Sequence, residues 1–221
     1  MIIAIDGPAG AGKSSVAKEV AKRHELLPQE YKENREIPVS IKTRIGYDKP
    51  VIEEWIPTLL EMKPTAIALH GRTLKQQYGG LSNWEEIKKA VQLCKTAGVL
   101  LLGNGDVLTR EQAYDYIQKY EVDGILIGRG SFGNPFAFSE NSEQEYKKAI
   151  ETKEIFQIAL EHCRFYEKTY SAEERYHFMP MRKHLGWYVK GIDGAREMRI
   201  KLFQTNSAAD VEAIFKEHNL I

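Results

Sequence analysis

Two sets of residues in this 221-residue chain have the types and spacing needed for chemistry. Near the start, Gly7-Pro8-Ala9-Gly10-Ala11-Gly12-Lys13-Ser14 is a complete match to GxxxxGK[ST]. It sits between a short apolar run, Ile2 to Asp6, and a stretch of helical spacing, Ser14 to Arg23. Glycines such as Gly7 and Gly12 let backbone N–H groups close around phosphate oxygens, Lys13 adds a point charge, and Ser14 can ligate Mg²⁺. Only if this loop binds a nucleotide is ATP with magnesium the expected ligand, with Ser14 on the metal, and no other metal site is expected. Phosphoryl transfer also needs a second acidic metal position and an acceptor site. Neither is identifiable further along, so phosphate binding is the stronger reading and kinase activity the weaker.

The second set recurs at the ends of four apolar runs. Lys42 and Arg44 close the first, His70, Gly71 and Arg72 the second, Asn104, Gly105 and Asp106 the third, and Gly128, Arg129 and Gly130 the fourth. Taken singly, His70 could be an ordinary satisfied histidine and Lys42 a strand cap. At equivalent positions of four repeats they read as one site, because parallel α/β proteins bind ligands where their strands finish. Gly128 to Gly133 also matches GxGxxG, but Asn134-Pro135 follows at once and restricts the helix that a dinucleotide loop must open into. A phosphate-binding turn, with Arg129 as its cation, is expected instead.

The elements that must position these residues alternate. From Pro38 the chain reads PVSIKTRI and a helix within 51–62, AIALHG and a helix over Trp84–Thr96, VLLLGNGD and a helix over Thr109–Tyr120, then GILIGRG and a short turn. Strands alternating with helices predict βα units on a parallel sheet, and continuous apolar runs suit strands buried on both faces. A polar break at Ser139–Glu145 then ends the strand signal. Helices are expected beyond it within Tyr146–Tyr170, Met179–Lys190, Gly194–Phe203 and Ala208–His218.

Composition narrows the functional classes. Hydrophobic residues at 43% and charged residues at 28% exclude a disordered or fibrous chain, and 31 basic against 31 acidic residues give no overall field for nucleic acid or membrane. Two cysteines, Cys94 and Cys163, cannot build a disulfide framework or a zinc site alone. With no apolar stretch near the ~18 residues of a membrane span and no signal segment, a cytoplasmic protein without a membrane partner is expected. One local bias stands out. From Arg164 to Lys201 nine Lys or Arg face five Asp or Glu, including Arg182 and Lys183, interleaved with Phe165, Tyr166, Tyr170, Tyr176, Phe178, Trp187 and Tyr188. That stretch is either an RNA-facing surface or an amphipathic bundle with an aromatic core.

The first 23 residues, IIAIDGPAGAGKSSVAKEVAKR, resemble the opening of bacterial cytidylate kinases. The strings PVSIKTRIGYD, LHGRTLKQQYGG with SNWEEIKKAV, LLGNGDV, DGILIGRGSFGNPF and MRKHLGWYVKG resemble tRNA-dihydrouridine synthases in order, over about residues 37–215. This second resemblance implies the C-terminal half of a (β/α)₈ TIM barrel, an FMN site, and a helical tRNA-binding domain. It implies reduction of a tRNA uridine to 5,6-dihydrouridine, with NADPH as reductant. On that reading Lys42 contacts the flavin ring and His70 the ribityl-phosphate region. Asn104, Gly105, Asp106, Gly128 and Arg129 lie at the phosphate end, Arg44 and Arg72 near the substrate, and Arg182 and Lys183 on the tRNA side.

The expected organisation is a phosphate-loop unit over 1–24, a junction over 25–36, a half barrel over 37–138 and a helical domain over 139–221. A whole barrel needs ~250 residues, so the barrel is expected to be incomplete, with a homodimer as one way to complete it. The family's general acid is a cysteine on a loop of the first barrel half, and neither Cys94 nor Cys163 matches it. The catalytic residues are therefore unassigned, and impaired activity is expected. A nucleotide-binding protein and a non-catalytic tRNA-binding module are the competing readings.

Overall fold

The computed structural model describes residues 38–174 and 176–221. The phosphate loop, Gly7 to Ser14, and the junction lie outside the described residues. The others fall into two compact units, described separately below, one running through Val107 with Gln112–Leu126 and one comprising Leu108–Glu111 with Ile127–Ile221.

The first unit is a parallel sheet with its helices. Strands β1 (Ser40–Arg44), β2 (Ala66–His70), β3 (Leu100–Asn104) and β4 (Gly124–Leu126) pair in sequence order. Helices α1 (Ile52–Glu61), α2 (Trp84–Thr96) and α3 (Arg110–Tyr120) fall in the connections, as the alternation predicts, although α3 starts one residue later than expected. All five residues of β2 are buried, which explains its unbroken apolar run. Helix α2 starts where Asn83 accepts a hydrogen bond from the Glu86 N–H, with Glu85 and Glu86 in its first turn. It buries Trp84, Ile87, Ala90 and Cys94 at helical spacing.

Register matters most here. Arg44 pairs with His70, His70 with Asn104, and Asn104 with Leu126, so the last residues of all four strands form one row. Side chains alternate faces along a strand, which puts Lys42, Arg44, His70 and Asn104 on the same face.

The second unit is helical after its first loop. It contains α4 (Ser142–Glu151), α5 (Glu154–Tyr170), α6 (Met179–Tyr188), α7 (Ala195–Leu202) and α8 (Ala208–Glu217). Their apolar faces meet in one core, in which Phe156, Leu160, Cys163, Met181, Leu185, Leu202, Val211 and Phe215 are almost fully buried. Two details differ from the sequence expectation. The polar stretch Ser139–Glu145 already contains the first turn of α4, where Glu143 and Glu145 complement the positive end of the helix dipole. Lys153, in the left-handed region at φ 63°, then separates α4 from α5. After β4 there is a 3₁₀ turn at Arg129–Ser131 and no helix until Ser142, so Gly128–Gly133 is not a dinucleotide loop. Among the described residues no helix is long and apolar enough to cross a membrane.

Candidate active site at the strand ends

Each site residue owes its position to a strand end or to the loop just after it. Lys42 lies at the centre of β1, two residues before the strand end rather than at it, with an exposed side chain. Arg44 closes β1, and its Nη1 donates to the Thr73 carbonyl at 2.9 Å and to that of Gln77 at 3.4 Å. It thereby ties β1 to the loop after β2.

His70 closes β2 and is buried, and its pKa is lowered to about 4. Burial is the main cause, and the positive charges of Arg44, Lys42 and Arg72 reinforce it against a smaller opposing pull from Asp106. The imidazole is thus neutral at physiological pH.

Arg72 was expected near the substrate, but it is 2% exposed. Its Nη2 donates to both carboxylate oxygens of Asp106, at 2.8 and 2.7 Å, and to the Gly80 carbonyl at 2.7 Å. Its Nη1 donates to Ser82 Oγ at 2.9 Å and lies 3.4 Å from His70 Nε2. A buried guanidinium needs a counter-ion, and Asp106 supplies it. Arg72 is therefore an internal bracket.

Asp106 was expected at the phosphate end of a cofactor, and its carboxylate instead faces Arg72 and accepts the Ser82 N–H at 2.8 Å. Burial alone would raise its pKa, but the hydrogen bonds from Arg72 and Ser82 and the Arg72 charge hold it below the usual carboxylate value. Held in this way, the carboxylate fixes the turn that carries Gly105. Asn104 uses its Nδ2 to donate to the Leu126 carbonyl at 3.0 Å, closing the row of strand ends.

Gly105, at φ 131°, has no room for a side chain, since an added Cβ would come to 2.1 Å from Ser82 Oγ. The Trp84 indole N–H donates to its carbonyl at 2.9 Å. Ser82 and Trp84 were not singled out in the sequence, although both lie in the string SNW at which α2 begins.

Gly128 and Arg129 belong to the second unit. Both are exposed, on the 3₁₀ turn two residues after β4. In the same unit Arg182 donates from Nε to the Thr205 carbonyl at 2.8 Å and from Nη2 to Asn206 Oδ1 at 2.7 Å, binding α6 to the loop before α8. Lys183 is exposed, with its ammonium 5.6 Å from the Trp187 ring centroid. The aromatic residues of this stretch divide, with Phe178 and Tyr188 in the core and Phe165 and Tyr170 at 68% and 42% exposure. Both thiols are buried, which pushes Cys94 up to about 11 and Cys163 up to about 12.

Comparison with known proteins adds a family to this geometry. Residues 21–220 match the family described as dihydrouridine synthase, and residues 3–29 match the one described as cytidylate kinase. A probable tRNA-dihydrouridine synthase of Staphylococcus epidermidis is 35% identical over 181 residues, which cover 80% of this chain and 54% of the relative. One from Staphylococcus aureus is 34% identical over 184 residues, covering 82% and 54%. A probable tRNA-dihydrouridine synthase 2 of Bacillus subtilis is 32% identical over 184 residues, covering 82% and 55%. The chain spans about half the length of the curated relatives it matches.

Proposed function

Because this chain belongs to the dihydrouridine synthase family, we propose that it is a flavoprotein for the FMN- and NADPH-dependent reduction of uridine in tRNA to 5,6-dihydrouridine. The observation that carries this reading is the shared face of Lys42, Arg44, His70 and Asn104 at the ends of successive parallel strands. The donor set fits FMN. Lys42 offers an exposed cation to an electron-rich ring, and the neutral His70 a polar contact without added charge. The turn at Gly105, which has no side chain, allows close approach. Within the second unit, Gly128 and Arg129 offer backbone N–H groups and a guanidinium, the chemistry that a phosphate needs. Asp106 contributes through the turn it fixes rather than through its carboxylate.

When bound, FMN supplies the hydride chemistry, and the protein supplies orientation and electrostatics. Lys42 stabilises negative charge beside the ring, and Arg44 orients the base. A uridine stacked within folded tRNA would have to be turned out to reach this face. Lys183, Arg182 and the exposed Phe165 and Tyr170 would face the RNA, with Arg182 also holding the loop before α8. The phosphate-loop unit 1–24, the junction 25–36, the half barrel 37–138 and the helical tRNA-binding domain 139–221 remain our division of the chain, with a cytoplasmic location and a homodimer as further proposals.

The test is an FMN titration followed by absorbance and loss of flavin fluorescence. Saturable binding, weakened at least ~10-fold by Lys42→Ala or Arg129→Ala through loss of a charge-assisted contact, is the expected result. Undiminished binding in both variants would overturn the site. The match of residues 3–29 to cytidylate kinase supports a second ligand, magnesium-bound ATP at Gly7, Gly12, Lys13 and Ser14. Saturable ATP binding abolished by Lys13→Ala tests it.

A further inference from the structure

We propose that Arg72, clamped by Asp106 and Ser82, is a positioning residue that fixes His70 in one neutral tautomer, with Nε2 accepting and Nδ1–H as the only ring donor. The argument is one of hydrogen-bond inventory. A guanidinium has five N–H donors and no acceptor. Arg72 Nη1 lies 3.4 Å from His70 Nε2, so only an unprotonated Nε2 can meet it. The two hydrogens on Nη1 are then directed at Ser82 Oγ and His70 Nε2, and the two on Nη2 at the Gly80 carbonyl and Asp106. The guanidinium cannot turn its face away from His70 without breaking the contacts on its other side.

The surroundings exclude the alternatives. An imidazolium, or the Nε2–H tautomer, would set an N–H against the Nη1–H. The charged groups acting on the ring are Arg44 and Lys42 of β1, Arg72 of the loop after β2, and Asp106 of the turn after β3. Three of the four are cations, and the one anion is already hydrogen-bonded to Arg72. Arg72 Nε is also buried without a hydrogen-bond partner among the described residues.

The consequence for binding rests on the flavin reading above. His70 would offer a fixed N–H to an acceptor oxygen of the ligand across the whole physiological pH range. The tautomer itself does not depend on that reading.

The experiment is a long-range ¹H–¹⁵N spectrum of the histidine rings in the full ¹⁵N-labelled chain, with His70 assigned by loss of its signals in His70→Gln. Between about pH 5 and about pH 8 the expected result is the Nδ1–H tautomer, favoured by about tenfold or more, with no titration. In Arg72→Lys, whose single ammonium cannot hold Asp106 and His70 together, the ring should become a mixture of tautomers. Asp106→Glu, which keeps the counter-ion, should retain most of the preference, and the wild-type spectrum is decisive should either variant fail to fold. An Nε2–H ring, or a ring that titrates in this window, would overturn the proposal. FMN is titrated into the same sample. Loss of flavin binding with the Nδ1–H tautomer intact would remove the flavin reading and uphold the positioning role.

Discussion

At the scale of single residues, burial decides which groups can do chemistry. His70 has a folded pKa of about 4, below the ordinary value of 6.5. Between those values the unfolded chain binds a proton that the native site refuses, so stability falls as pH drops through that window. Replacing His70 with Gln should flatten the dependence there, as measured by urea midpoints at several pH values. An unchanged slope would show that His70 does not sense pH as its surroundings imply. Asp106 adds a lower limb, because its depressed pKa gives stability above the usual carboxylate range that is lost in stronger acid. Asp106→Asn removes the partner of a nearly buried guanidinium and should cost about 2–4 kcal/mol at neutral pH, read from the shift in denaturation midpoint. The two cysteines make the opposite case, since Cys94 at about 11 and Cys163 at about 12 leave almost no thiolate at pH 8. Neither should react with a thiol reagent until the chain is unfolded. Fast labelling of the native protein would contradict their burial.

At the scale of elements, the loop after β2 and the turn after β3 act as one assembly. Arg72, Ser82 and Trp84 all reach the Gly105–Asp106 turn, two through the Asp106 carboxylate and one through the Gly105 carbonyl. The Trp84 ring also occupies the space beside Gly103, where an added Cβ would come to 2.4 Å from it. Trp84→Phe keeps the bulk and removes the N–H, leaving a buried carbonyl unmet. A loss of about 1–3 kcal/mol is expected. Gly105→Ala would strain the backbone and press on Ser82 Oγ, which already accepts from Arg72, so it should cost more than Trp84→Phe in the same denaturation series. The strands and α2 were legible because apolar runs and helical spacing are local signals. The Arg72–Asp106 bracket was not, since it joins residues 34 positions apart and nothing in the motif HGR distinguishes a substrate-facing arginine from one turned inward. For the same reason Lys153 could split what reads as one helical region. Its left-handed backbone is a property of the turn that side-chain periodicity does not record.

At the scale of the whole molecule, the balance of 31 basic and 31 acidic residues conceals a division of labour. The polar ends of β1, β2 and β3 belong to one compact unit and the basic, aromatic-rich helices to the other, while the chain spans about half the length of its curated relatives. The family reaction needs a proton donor on the uracil ring after hydride transfer, and the resemblance assigns that role to a cysteine which this sequence does not match. Cys94 and Cys163 cannot substitute, because both are buried in helices within cores, where general acid chemistry on a tRNA base has no access. On the flavin reading proposed above, with neither thiol placed to donate, flavin binding is expected to be easier to detect than product. General acid catalysis is worth roughly 10²–10⁴-fold, so dihydrouridine in tRNA from a deletion strain expressing only this chain should fall below the family rate by at least that factor. Mass spectrometry of digested tRNA measures it. Full restoration of the modified base would overturn this expectation and mean that a proton donor other than Cys94 and Cys163 acts.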